Sequence, residues 1–249
     1  MIVDLHAHLG ARKRARYSGE EILRDMDAAG VDHACVFSFV ESLDNHYPAR
    51  QAAEHPDRFT AFCMVDPWNP DSATAMRRCF EQGMRGVKFH PMRQAVAVDR
   101  VDVMAPFLDL CEEFGAVFFA HGSSESFNSP GKFARLARRW PTVPIVIGHS
   151  GGPWGLPEAI DVATDHPNVR LSTSLVPVPA LRRIVDRIGP ERLLLASDVP
   201  FGSFDFEIAK VRAAVPETAD LVLGGNLARL IGLTAVAAGG VGGLAVATS

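Results

Sequence analysis

His6 and His8 stand two residues apart in "IVDLHAHLG" (2–10), with Asp4 two residues before them. In an extended strand, positions i, i+2 and i+4 share one face. The pattern therefore predicts an acid and two imidazoles side by side where a core face would carry Val or Leu. Three such groups need partners if buried. Similar residues end later apolar runs: Lys88 and His90 in "GVKFHP", His121 in "AVFFAHG", His149 in "PIVIGHSG" and Asp198 in "LLLASDVP". Neutral imidazoles with a carboxylate are a donor set for zinc or a similar divalent ion. Such an ion lowers the pKa of its bound water toward neutrality, and a neighbouring imidazole can relay the proton. The expected chemistry is therefore metal-assisted, with the polar face of the first run aimed at the ion and Asp4 as a structural residue.

The elements that must position these residues follow from periodicity. Apolar runs rich in Val, Ile and Phe occupy 1–8, 33–39, 59–65, 86–91, 116–122, 144–151, 169–175 and 193–200. Their composition and their Gly, Pro or polar ends suit buried parallel strands. Helical patterns lie between them, near 18–30, 45–55, 71–83, 99–115, 131–140, 156–166, 178–189 and 205–214. Ser18 is a cap, acids fill the first turn after it, and Gly30 is a stop. Pro106 predicts a kinked or split helix. Eight such units specify an α/β fold, a single closed (β/α)8 barrel of the TIM type, over an open doubly wound sheet. The reading gives one domain over residues 1–233, closed by a short helix near 226–233, and a Gly/Ala-rich tail over 234–249. Barrel sites form at the C-terminal ends of the strands, so the residues that end the runs should converge on one mouth.

In this order on successive strands, "DLHAH", "GVKFHP", "FAHG", "IGHSGG" and "SDVPFG" resemble the amidohydrolase superfamily. The resemblance is to its compact branch, which includes the aminocarboxymuconate-semialdehyde decarboxylase type. It covers about residues 1 to 233. It implies that His6, His8, His121 and Asp198 ligate one ion, most simply zinc, and that His149 is a catalytic acid/base or a ligand of a second metal. Asp198 would also be catalytic. In binuclear members a strand-four lysine becomes a bridging carbamate, and Lys88 permits that. The other uses of Lys88 are contact with an anionic substrate and a structural ion pair. His90 and Arg93 are read as substrate contacts, and Trp154 as a substrate wall at the rim. His33, His46, His55 and His166 are read as surface or capping residues.

Two enzymatic functions share these ligands. One is hydrolysis of a small, anionic ester, lactone or amide. The alternative is non-oxidative decarboxylation of a small unsaturated or aromatic acid. A metal-free hydrolase and a non-enzymatic metal-bearing barrel are the remaining readings. The net charge of −4 points to no nucleic acid and no anionic membrane, leaving a small-molecule substrate as the expected partner. A homo-oligomer is compatible with the sequence, which sets no oligomeric state. "ARKRARYSG" (11–19) places basic residues on the first strand-to-helix loop, where they would attract carboxylate or phosphate. Four cysteines without CxxC spacing read as reduced core thiols. No signal segment opens the chain, and the tail is too weakly apolar for a span, so a soluble cytoplasmic protein is expected.

Overall fold

The computed structural model describes residues 1–12 and 15–233. Lys13, Arg14 and the tail over 234–249 lie outside them. The chain runs β1 (Val3–His8), the hairpin β2 (Gly10–Arg12) and β3 (Ala15–Tyr17), α1 (Gly19–Ala29), β4 (His33–Phe37), α2 (His46–Glu54), β5 (Phe59–Met64), α3 (Ser72–Glu81), β6 (Gly86–Phe89) and α4 (Val101–Phe114). It continues through β7 (Val117–Ala120), α5 (Pro130–Arg139), β8 (Ile145–Ile147), α6 (Gly152–Asp165), β9 (Val169–Ser172), α7 (Val178–Ile188), β10 (Leu193–Leu194), α8 (Phe204–Ala214) and α9 (Asn226–Ile231). β1 and β4 to β10 pair in parallel, in chain order. The last strand returns to the first: Leu5 N–H donates to Leu195 O at 3.0 Å and His8 N–H to Val199 O at 2.8 Å. These bonds nearly close the eight-stranded α/β barrel. Among the described residues no helix is long and apolar enough to cross a membrane.

Local chemistry accounts for the helices. Ser18 Oγ accepts from Glu21 N–H while the Glu21 carboxylate accepts from Ser18 N–H, a reciprocal cap. Gly30 then ends α1 at φ +70°, a conformation that costs glycine little. α4 is one unsplit helix through Pro106. The proline falls in its second turn, where the missing N–H forgoes a single bond.

Two apolar layers hold the barrel. One lies between strands and helices and includes Ala7, Val36, Val87, Phe118 and Ile145. The other fills the interior with Val3, Leu5, Phe37, Phe62 and Phe119. Leu227, Ala228 and Ile231 of α9 belong to this second cluster, so the short closing helix plugs one end. Gly86 lies against the interior: a Cβ there would meet the Phe62 ring at 2.5 Å.

β1 departs from strict alternation. Val3 and Leu5 face the interior, while Ala7 and Leu9 face the helical layer. Asp4 pairs with Ala34 but Ala7 with Val36, so β1 carries one extra residue, a bulge. His6 packs on the interior rings Phe37 and Phe119. Asp4 therefore does not share the face of His6 and His8, contrary to the expected period of two. It is fully buried outside the cavity, and its Oδ1 accepts the His6 N–H at 2.8 Å. His33 also differs from expectation. It is buried, with Nδ1 3.0 Å from Asp57 O and Nε2 2.8 Å from Thr60 Oγ1, and ties the start of β4 to the chain leading into β5. His46 begins α2, while His55 and His166 cap α2 and α6.

Candidate metal centre and active site

The bulge turns both histidines of β1 into the barrel mouth. Asp198, just beyond β10, meets them with φ +62°. Its Oδ1 lies 3.0 Å from His6 Nε2 and 3.4 Å from His8 Nε2, and the two Nε2 atoms are 3.2 Å apart. Ligands about 2.1 Å from one ion lie about 3.0 Å apart along an octahedral edge and about 3.4 Å along a tetrahedral one. The three atoms thus have the mutual spacing of donors on a single divalent ion. His8 Nδ1 faces Ser38 O at 3.5 Å, which places a proton there and leaves Nε2 a lone pair.

His149 follows β8 in a left-handed turn, with φ +53° at His149 and +48° at Ser150. Ser172 Oγ accepts its backbone N–H at 2.8 Å, and Ser174 Oγ lies 2.9 Å from its Nδ1. This leaves Nε2 for the cavity. His6, His149 and Asp198 each offer a ligand atom within 4.8 Å of the others. His121 lines the same cavity but falls outside that set. Its ring stacks on His90 at 4.2 Å and meets His149 edge-on at 4.6 Å.

Burial sets the electrostatics. It holds His6, His8 and His121 below the ordinary imidazole range. It brings His149 down to about 4 and His90 to about 3, with the Lys88 charge adding to both. These rings are neutral at pH 7, the form that ligates a metal. Burial pushes the Asp198 carboxyl up, but its close approach to the ring nitrogens of His6 and His8 outweighs this and holds the group well below the usual carboxylate range. The donor set therefore suits a divalent cation.

Lys88 stands apart from this set. It is 2% exposed, and its Nζ has no hydrogen-bond partner. The amine sits 3.6 Å from the centroid of the Phe119 ring and 5.5 Å from that of Phe37, a favourable face for a cation. Burial lowers its pKa to about 7, opposed by the charge of Asp198.

The mouth is a cavity of about 390 Å³ that contains all these groups. At its rim, Arg12 Nε and Arg93 Nη1 share Glu41 Oε1, at 3.2 and 2.5 Å. Arg12 also lies over Phe201, at 4.8 Å from its centroid. Phe39 stacks on His8 at 5.0 Å and 11°, and Phe201 meets the same ring edge-on. Trp154 does not line the cavity, contrary to the sequence reading. It is 85% exposed in the first turn of α6, which begins only after the left-handed turn at His149 has carried the chain away. Glu41, Phe39, Phe201 and Ser174 escaped the sequence reading. Phe39 and Ser174 lie at the ends of apolar runs and Glu41 and Phe201 just after them, the one signal that could have found them.

A parallel barrel whose strand ends gather imidazoles, a carboxylate and a buried amine at one mouth has the build of a metal-dependent barrel enzyme. The chain belongs to the amidohydrolase family, whose sequence profile matches residues 3–233, and it is an enzyme of the amidohydrolase superfamily. No curated protein matches it. Among solved structures it is similar to a dihydroxybenzoic acid decarboxylase from a Polaromonas species with bound manganese and the inhibitor 2-nitroresorcinol. That likeness has a TM-score of 0.77 and 18% identity over 93% of this chain and 97% of the other. It is also similar to a 5-carboxyvanillate decarboxylase from Sphingomonas paucimobilis, at TM-score 0.72 and 17% identity over 94% and 99% of the two chains. A third likeness is to a candidate 2-pyrone-4,6-dicarboxylic acid hydrolase from Acinetobacter baumannii, at 0.71 and 15% over 93% and 99%. At these identities the likeness is one of fold.

Proposed function

We propose that the protein is a metal-dependent hydrolase acting on a small anionic ester, lactone or amide. The observation that carries the reading is Lys88, a fully buried amine with no hydrogen-bond partner, facing the same cavity as a divalent-ion donor set. An anionic substrate group would supply the bonds it lacks and desolvate with it. A cavity of about 390 Å³ suits a small molecule.

His6, His8 and Asp198 would hold one ion, with His121 in the same cavity as the fourth ligand of the family pattern. The donor types suit zinc, and the likeness to a manganese-bound structure makes manganese the first ion to compare. When bound, the ion supplies Lewis acidity and an acidified water. The chain's own groups do the rest. Arg12 and Arg93 at the rim draw in the anion, and Lys88 binds it. Asp198 accepts a proton from the attacking water. His149, oriented by Ser174, polarises the carbonyl, and the proton that Asp198 has taken passes to the leaving group, directly or through His149.

A second reading is non-oxidative decarboxylation of an unsaturated or aromatic acid. The flat wall of Phe39 stacked on His8, faced edge-on by Phe201, favours it because such a wall suits a planar substrate. The test is a panel of carboxylated lactones, esters and amides beside hydroxybenzoates and enal acids, followed by pH-stat and by carbon dioxide release. Acid release without carbon dioxide supports the hydrolase, and carbon dioxide release supports the second reading. In both cases thorough chelation should abolish turnover, and zinc or manganese should restore it. Turnover that survives chelation would refute both. Metal analysis of the same samples should give one equivalent. Two equivalents would point to a carbamate on Lys88.

A further inference from the structure

Asp4 is a buried carboxylate that the site chemistry does not use. It is fully buried, its Oδ2 has no hydrogen-bond partner, and its Oδ1 accepts the backbone N–H of His6 at 2.8 Å. Burying such a group is costly, so what it accomplishes is of interest. The bond to His6 falls inside the segment where β1 holds an extra residue between Asp4 and Ala7. A bulge takes a backbone N–H out of the ladder, and Asp4 supplies the acceptor that the neighbouring strand does not. On the carbonyl side of the same residue, Ser197 Oγ donates to His6 O at 3.3 Å. Side chains thus reach both backbone groups of His6.

The bulge decides where the imidazoles point. With Val3 and Leu5 inside, an unbulged β1 would carry positions 7 and 9 inside as well. His6 and His8 would then face the helical layer, because a one-residue slip moves every following side chain to the other face. We infer that Asp4 is a positioning residue for the metal centre: its carboxylate oxygen clamps the bulge of β1 and so fixes His6 and His8 toward the ion. The inference rests on the reading of those two histidines as ligands.

The test compares Asp4→Ala, which removes the acceptor, with Asp4→Asn, which keeps a side-chain oxygen in its place. Each full-length protein is stripped and titrated with zinc and with manganese. Amide hydrogen exchange at His6 is followed without metal. Asp4→Ala should weaken metal binding by about 10- to 100-fold and expose the His6 amide, while Asp4→Asn should keep both near the parent's values. If Asp4→Ala does not fold, the parent and Asp4→Asn decide: a fast-exchanging His6 amide or a lost metal in Asp4→Asn overturns the clamp. Parent-like binding and exchange in Asp4→Ala would overturn it too, with the metal reading intact. A parent that binds no ion, or a His6→Ala variant that binds it as tightly as the parent, would instead overturn the metal reading and the clamp's purpose with it.

Discussion

At the scale of the residue, Lys88 ties function to instability. A lysine normally near 10.5 is brought by burial to about 7, so the folded state disfavours its charged form. The penalty is full below pH 7, fades as pH rises toward 10.5, and vanishes above. Lys88→Met should therefore raise the melting temperature most at or below pH 7, by an amount equivalent to a few kcal/mol, and lose anionic substrate. In the parent, kcat/KM should fall as pH rises through about 7, where the amine gives up the charge proposed to bind the anion. A flat kcat/KM profile from pH 6 to 9 would speak against that role. His149 gives a separate forecast. As an acid/base it should, on change to Ala, keep one equivalent of metal and slow turnover by roughly 100- to 10,000-fold. As a ligand of a second ion it should instead drop metal content from two equivalents to about one. The sequence made Lys88 and His149 visible because each is a polar residue ending an apolar strand. Trp154 is misplaced because nothing in "SGGPWG" reveals that His149 and Ser150 join Gly151 and Gly152 at positive φ, a turn that sets where the next helix starts.

At the scale of the element, the eight strands and the helices between them were legible because burial on both faces makes strand sequences continuously apolar and caps mark helix ends. The hairpin of β2 and β3 was not, since no Asn-Gly or Asp-Gly pair announces its turn. The bulge of β1 was hidden for a deeper reason: it is a relation between two strands, seen only when Asp4 and Ala7 are matched against Ala34 and Val36. The closing helix near 226–233 was expected, but its role as a plug depends on tertiary packing. That role makes its own prediction. Leu227 is fully buried within the interior cluster, so Leu227→Ala should destabilise the fold by about 2–5 kcal/mol. It should leave turnover per folded molecule unchanged, because the plug stands apart from the mouth. Denaturant unfolding beside active-site titration would check it; a change in kcat with unchanged stability would contradict the assignment.

At the scale of the whole molecule, closure of the barrel brings its first strand against its last. His6 and His8 come from the first strand and Asp198 from beyond the last, with the 2.8 Å bond from His8 N–H to Val199 O beside them. On a ribosome, the histidines are made before the rest of the barrel and wait for nearly all of it before their carboxylate partner exists. No fragment released early can assemble the triad. Capture of an ion by His6, His8 and Asp198 together would therefore mark a finished barrel, and most of the barrel would be made before a competent site exists.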